Sequence, residues 1–310
     1  MGVLSSVIMK ILITGGAGFI GSHTADALLA AGHTVSILDN LHTGQRANSP
    51  IGATFIEGDI THLDVAKSAA SGCDAILHLA ALVSVPQSLS QPVETFQVNT
   101  VGTINMLEAA RVTGVKRFML ASTCAVYGSS TGRKREDSPM DPLVPYASSK
   151  LMAEEAGRSY RNAFGLEFVA VRYFNVYGPR QRADSPYSGV IARWCDAATA
   201  GAPCIVFGDG EQTRDFVNVR DVAQANLRMA TLPIEQLQHG VYNVGTGQSV
   251  TLNTLLKALG DVAGSSKLHV EHREARAGDI RESSGEAERL RGTGWTPLVS
   301  LTEGLRELVR

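Results

Sequence analysis

Cysteine is scarce. The four in 310 residues, Cys73, Cys124, Cys195 and Cys204, have neither disulfide-framework nor metal-ligand spacing. They read as the reduced thiols of a cytoplasmic protein. An excess of either charge is also missing. The 28 Lys and Arg against 30 Asp and Glu leave a formal net charge of −2, which gives no electrostatic case for nucleic acid or a membrane surface. No apolar run approaches the ~20 residues of a membrane-spanning helix. Internal repeats and low-complexity tracts are absent too, which removes solenoids and disordered arrays from consideration. Residues 1–8 are too short for a signal peptide. They fit a loose Met-Gly-x-x-x-Ser acylation pattern of the kind that arises by chance, and the fold is expected to open at Met9-Lys10.

What the chain does have is organised around residues 10–21, KILITGGAGFIG. The apolar run Ile11, Leu12, Ile13 reads as a buried parallel strand. It breaks at Gly15-Gly16 and resumes as a helical pattern through His23, Leu28 and Leu29. Gly15, Gly18 and Gly21 are spaced GxxGxxG, one residue wider at the first gap than the usual dinucleotide fingerprint. The first glycine permits a tight turn, the second lets backbone approach a pyrophosphate, and the third lets helix pack on strand. The helix start at Phe19 and Ile20 then offers N–H groups to phosphate. A second apolar strand over 34–38 ends in Asp39, 18 residues past Gly21, about where a ribose-binding acid belongs. A carboxylate there accepts from the adenosine 2′-hydroxyl and repels a 2′-phosphate, so NAD is expected over NADP. The plainer alternative is a solvated strand-end aspartate.

Strand and helix patterns alternate through the first half, the signature of an α/β fold with a doubly wound parallel sheet of Rossmann type. Further strands are expected at 54–57, 75–79, 117–121 and 166–173. Helices are expected from about Leu63, over 93–112, and from Tyr146. The polar stretch 128–145, with RKRED inside it, reads as a loop. From Tyr177 prolines and short elements take over. The expected division is a dinucleotide-binding domain over 1–178, to which 216–248 returns, and a smaller α/β substrate-binding domain over 179–310. The smaller domain should fold over the C-terminal edge of the sheet, where open α/β sheets bind ligands.

Tyr146 and Lys150 form a YxxxK pair on one helix face. A free tyrosine, with a pKa of about 10, is a poor base at neutral pH. A nearby ammonium and a cationic nicotinamide would favour its phenolate. The pair alone is a weak signal, because tyrosine and lysine often stand four apart on amphipathic helices. Here Ser122 and Thr123 end a strand, with Thr123 placed 23 residues before Tyr146. A strand-end hydroxyl can hydrogen-bond a reacting substrate oxygen.

With these parts in order, the chain resembles the extended short-chain dehydrogenase/reductases of the NAD-dependent nucleotide-sugar epimerase/dehydratase family. The resemblance runs from about Lys10 to Trp295. It rests on TGGAGFIG (14–21), LDN (38–40), GDI (58–60), HLAA (78–81), NTVGT (99–103), STCAVYG (122–128), YASSK (146–150), RYFNVYGPR (172–180), GDGEQTRDFVNVRDVA (208–223), YNVGTG (242–247) and RAGDI (276–280). It implies NAD held by Gly15, Gly18, Phe19, Ile20, Gly21, Asp39 and Asn40, with Asp59 and Ile60 at the adenine. Leu79, Ala80 and Ala81 would line the cofactor, Asn99 would support the catalytic region, and Tyr173 would lie near the nicotinamide. Tyr146 is implied as the base, Lys150 as its tuning group and holder of the nicotinamide ribose, and Thr123 and Ser122 as hydroxyls at the sugar O4. Asn175, Arg214 and Arg276 would meet the diphosphate, Asp279 the uridine ribose, and Phe207 the uracil. Ser84 and Val190 complete the implied substrate contacts, and no metal is implied. Relatives often dimerise through two helices per subunit, so a homodimer is expected.

The family splits on the residues after Thr123. Sugar dehydratases carry Asp-Glu there, and relatives that decarboxylate UDP-glucuronate place a glutamate at the position of Ala125. Cys124 and Ala125 can do neither job, which leaves epimerisation through a 4-keto sugar. Many relatives have serine at the position of Ala121, so the burden here falls on Ser122 and Thr123. Glucose/galactose-restricted members hold a bulky tyrosine four residues after the aspartate of R-x-G-D. Here that position is Ser283, followed by Ser284. The pattern is therefore most similar to UDP-N-acetylglucosamine 4-epimerases. A UDP-glucose/UDP-galactose or UDP-uronic acid 4-epimerase is the alternative. From another class comes a non-catalytic dinucleotide sensor, although such sensors generally lose the tyrosine or lysine kept here.

Overall fold

The computed structural model describes residues 7–130, 132–183, 189–264, 268–275 and 280–309. Its first half alternates β1 (Lys10–Thr14), α1 (Phe19–Ala30), β2 (Thr34–Asp39), β3 (Thr54–Glu57), α2 (Leu63–Ala70), β4 (Ala75–His78), the short α3 (Val85–Ser90) and α4 (Pro92–Phe96), α5 (Gly102–Thr113), β5 (Arg117–Thr123), α6 (Pro145–Phe164) and β6 (Glu167–Tyr173). After these come β7 (Asn175–Tyr177), α7 (Val190–Ala200), β8 (Pro203–Phe207), β9 (Thr213–Arg214), β10 (Phe216–Asn218), α8 (Val219–Thr231), β11 (Val241–Val244), β12 (Val250–Thr251), α9 (Leu252–Ala263), β13 (His269–Arg273), β14 (Glu282–Ser283), α10 (Glu288–Arg291) and α11 (Leu301–Leu308).

Seven strands make one parallel sheet in the order β11-β6-β5-β4-β1-β2-β3. A parallel sheet must be covered on both faces, and the alternate residues of β1 and β5 go to opposite cores. Ile11, Ile13 and Met119 pack in the core that holds Leu28 of α1 and Val222 of α8. Leu12, Phe118 and Leu120 pack in the core that holds Ala66 of α2, Met106 of α5 and Ala153 of α6. Each fully buried Leu, Ile or Phe side chain contributes roughly 1.5–3 kcal/mol. The strand order reverses between β1 and β4, which opens a crevice at their C-terminal ends. A separate core around Trp194, Leu255 and Leu305 supports the small sheets β13-β8 and β12-β9-β14.

The expected single helix over 93–112 is instead α4, a π turn at Gln97–Val101, and α5. Strand β5 runs two residues beyond Ala121, to Thr123, and β4 stops at His78. The 128–145 loop is held at several points, among them the bridge from Lys134 to Gly285, Asp141 N donating to Val126 O, and the Glu136 carboxylate accepting from Asn243 N. Among the described residues no helix is long and apolar enough to cross a membrane.

Candidate active site

At the end of β1, Gly15 adopts φ +70°, and a Cβ there would stand 2.7 Å from the Ala80 amide nitrogen. No side chain fits where the ends of β1 and β4 approach. A Cβ at Gly21 would overlap the Gly15 carbonyl oxygen, so the bare backbone also lets α1 seat on the turn. Gly18 is the N-cap of α1. The first amides of that helix, at Phe19 and Ile20, lack a carbonyl one turn back and favour an anion.

Asp39 is buried and already tied to this turn. Its Oδ2 accepts from Ala17 N at 2.9 Å and its Oδ1 from Leu41 N at 2.8 Å. A carboxylate offers about four lone-pair sites, so capacity remains for a diol. Beside it, Asn40 Nδ2 donates to Asp59 Oδ2 at 2.9 Å, and the Thr61 amide and hydroxyl donate to Asp59 Oδ1. Burial pushes the Asp59 carboxyl up, but these donors outweigh it and hold the group below the usual carboxylate range. Ile60 is buried, with its carbonyl taken by Asn105 Nδ2. The segment 79–81 closes the crevice: Leu79 N donates to Thr14 O and Ala80 N to Thr14 Oγ1. A side-chain-free turn, a helix N-terminus and a strand-end carboxylate with spare capacity fit a dinucleotide.

Pro145 opens α6 at a position where its missing N–H costs nothing. Tyr146 and Lys150 follow one turn apart. Thr123 hydrogen-bonds Tyr146, and its Oγ1 accepts from Ala125 N at 3.1 Å. Burial pushes the Tyr146 phenol up to about 12, with the Thr123 hydrogen bond opposing it. Burial likewise pushes the Lys150 ammonium down to about 8, against the pull of Glu154. Thr123 and Tyr146 therefore come together, with Lys150 buried one turn further along α6.

Ser122 does not join them. Strand alternation turns it away from Thr123, and its hydroxyl donates to the Glu154 carboxylate, which is paired in turn with Arg172. Asn99 sits in the π turn with its side chain fully buried. Its Nδ2 donates to Leu82 O (2.9 Å) and Ser149 Oγ (3.0 Å), and its Oδ1 accepts from Leu82 N (2.7 Å). The Tyr173 hydroxyl donates to Asn226 Oδ1 at 2.8 Å, and burial raises its phenol.

At the other end of the crevice, β14 pairs with β9 so that Ser283 stands opposite Arg214. Ser283 Oγ lies 4.0 Å from Cys124 Sγ. Burial pushes that thiol up to about 11, with the Ser283 contact opposing it. Residues 160 apart in the chain, Thr123 and Ser283, are thus linked through Cys124. Arg214 Nη1 donates to Thr213 O and Ile280 O, and Asn175 Nδ2 donates to Asp215 O. Phe207 ends β8, Val190 opens α7, and Ser84 caps α3 by accepting from Gln87 N at 3.0 Å. Arg276 and Asp279 lie outside the described residues.

The sequence reading missed His78 and the Glu154–Arg172 pair. The signal for the pair was there. Glu154 follows Lys150 by one helical turn, and Arg172 interrupts an apolar strand directly opposite Ser122.

The family described as the NAD-dependent epimerase/dehydratase family matches residues 11–245. The UDP-glucose 4-epimerase of Mycolicibacterium smegmatis is 38% identical over 310 residues, 97% of each chain. Among solved structures, the UDP-N-acetylglucosamine 4-epimerase of Methanobrevibacter ruminantium, in complex with UDP-N-acetylmuramic acid, superposes with a TM-score of 0.91 at 35% identity over 97% of each chain. The UDP-glucose 4-epimerase of Thermus thermophilus in complex with NAD gives 0.89 at 38% identity, covering 97% of this chain and 98% of that one. Identity at this level over nearly the full length, on top of the glycine turn and the Tyr146–Lys150 pair, shows that the chain belongs to the NAD-dependent epimerase/dehydratase family and is an epimerase that works with NAD.

Proposed function

We propose that the chain interconverts UDP-N-acetylglucosamine and UDP-N-acetylgalactosamine by inverting the sugar C4. The observation that carries this reading is Ser283, held beside Cys124 and so one residue from Thr123. Where the family's glucose/galactose-restricted members place a tyrosine, this chain has a small hydroxyl. The space of a phenol ring is left for an N-acetyl group.

In this mechanism Thr123 holds the sugar O4, and the Tyr146 phenolate removes its proton. Lys150 supplies the positive charge that favours the phenolate. When bound, NAD supplies reversible two-electron chemistry at the sugar carbon. Once the sugar has turned over, Tyr146 returns its proton to O4 on the other face. The Arg214 fork suits a diphosphate, with the Asn175 amide as a second donor; Arg276 and Asp279 are assigned to the diphosphate and the uridine ribose by the family resemblance alone. Loss of water is disfavoured, because the Cys124 thiol, raised to about 11, is neutral at pH 7 and Ala125 carries no ionisable group. The dinucleotide half would be residues 1–178 with 216–248, a division supported by α8 packing in the core under β1 and β5 and by β11 pairing with β6.

Turnover of the acetylated pair is the direct test, with the UDP-glucose/UDP-galactose pair expected to react less well or comparably. Replacing Ser283 with tyrosine should suppress the acetylated reaction at least about tenfold more than the other, a difference of ~1.4 kcal/mol. Equal loss on both, or wild-type protein active on UDP-glucose alone, favours the restricted epimerase that the curated relative's name suggests. The cofactor has its own check. Asp39 faces a 2′-phosphate with both repulsion and a lost hydrogen bond, so mass analysis of released cofactor should find NAD. Recovery of NADP would rule out that role for Asp39.

A further inference from the structure

His78 ends β4 with no exposed surface. Its Nδ1 lies 2.7 Å from Thr14 Oγ1 and its Nε2 3.0 Å from Thr103 Oγ1. Each threonine hydroxyl has a single hydrogen to give. Thr103 gives its hydrogen to Asn99 O at 2.6 Å, so toward the ring it can only accept. The ring must then carry its hydrogen on Nε2. Thr14 Oγ1 already accepts from Ala80 N and has its own hydrogen free for Nδ1. Burial, helped by the charge of Lys150, pushes the ring down to about 3, so the imidazole is neutral. A protonated ring would turn a donor on Thr14 and leave that hydroxyl's hydrogen without its acceptor.

The result is a run of hydrogen bonds with one direction. Ala80 N–H donates to Thr14, Thr14 to Nδ1, Nε2–H to Thr103, and Thr103 to Asn99 O. Asn99 continues through its side chain to Ser149 Oγ, and Ser149 donates to Tyr146 O at 2.7 Å. Ser149 lies between Tyr146 and Lys150. The glycine turn and the helix bearing Tyr146 and Lys150 are far apart in sequence and are joined by this buried connection through the β4 strand end.

We propose that His78 is a positioning residue, locked as the neutral Nε2–H tautomer, that sets the floor of the glycine turn in register with the helix bearing Tyr146 and Lys150. This rests on Tyr146 and Lys150 being the base and its tuning group. The first test does not involve turnover. In ¹⁵N-histidine-labelled holoenzyme, long-range ¹H–¹⁵N correlation at pH 7 should show one of the eight histidines as a neutral Nε2–H ring, assigned by its loss in His78→Gln. An Nδ1–H ring or an imidazolium at His78 overturns the proposal, whatever the substrate proves to be.

The second test is kinetic. Thr103→Val removes both the acceptor and the onward donor. It should lower kcat by about tenfold or more, as sub-ångström misplacement of a base does, with KM for the UDP-sugar within about twofold. Thr103→Ser keeps the hydroxyl and should restore most of kcat. A serine variant no better than valine, or a valine variant with unchanged kcat, would count against the coupling. If wild-type protein turned over no UDP-sugar, the functional reading would fail while the tautomer measurement still decided the ring.

Discussion

Tyr146→Phe is expected to lower kcat by roughly 10³-fold or more, near the top of what a positioned general base supplies, while UDP binding and the fold survive. The substitution removes one oxygen. The ring keeps its packing, and the loss of the Thr123 hydrogen bond costs about 1 kcal/mol of stability. Among the described residues, the neighbours of Thr123 cannot take its place. Cys124 is held protonated by burial, with its thiol at about 11, and Ser122 is committed to Glu154. Burial pushes the phenol up to about 12, so the positive charge of Lys150 and of a bound nicotinamide is needed to favour the phenolate at neutral pH. This fixes the pH dependence. Rate should rise with pH as Tyr146 ionises, and fall once Lys150, held near 8, loses its proton. Coupled turnover assays, calorimetric UDP binding and thermal melts of both proteins provide the check. Residual turnover within about tenfold of wild type would mean that another group is the base.

The parts of the fold legible in the sequence were those where one periodicity has one reading. Residues 54–57 and 34–39 are bounded by turn signals and carry β-branched residues, and they became β3 and β2 as expected. The glycine turn was legible because Gly15 needs positive φ, which no common alternative residue adopts without strain. The π turn was not legible. It adds one residue to a helix without breaking the apolar pattern between Val93 and Val112, and only the buried Asn99 side chain inside it marks the site. The direction of Ser122 was recoverable, since neighbours on a strand face opposite ways. A Ser-Thr pair reads as two candidate hydroxyls until the partner across the sheet, Arg172, is known to be buried with Glu154. Ser283 is the opposite case. Motif counting singled it out, but only the pairing of β14 with β9 places it beside Cys124. His78 stayed hidden because a histidine inside an apolar strand end gives no hint of its hydrogen-bond direction.

The largest loss of stability is expected from Arg172→Met. The guanidinium and the Glu154 carboxylate are both buried, with side chains 3% and 5% exposed. They share two contacts, Nη2 to Oε2 at 2.7 Å and Nε to Oε1 at 3.0 Å. Arg172 Nη1 also donates to the Tyr127 hydroxyl at 3.0 Å. That hydroxyl donates to Asn243 Oδ1, and Asn243 Nδ2 donates to the carbonyls of Lys134 and Glu286. One ion pair thus ties β5, α6, β6 and β11 to the segment that follows Ser283. Methionine fills similar volume but leaves the Glu154 charge buried without its partner, a cost of about 3–5 kcal/mol. That is a large share of the roughly 5–15 kcal/mol that holds a typical domain, and the melting temperature should fall on the order of 10 °C. Adding Glu154→Gln removes the stranded charge and leaves Ser122 an acceptor, so the double variant should be more stable than Arg172→Met alone. If the double variant melts no higher than the single one, then lost packing around Arg172, and not an uncompensated charge, sets the cost.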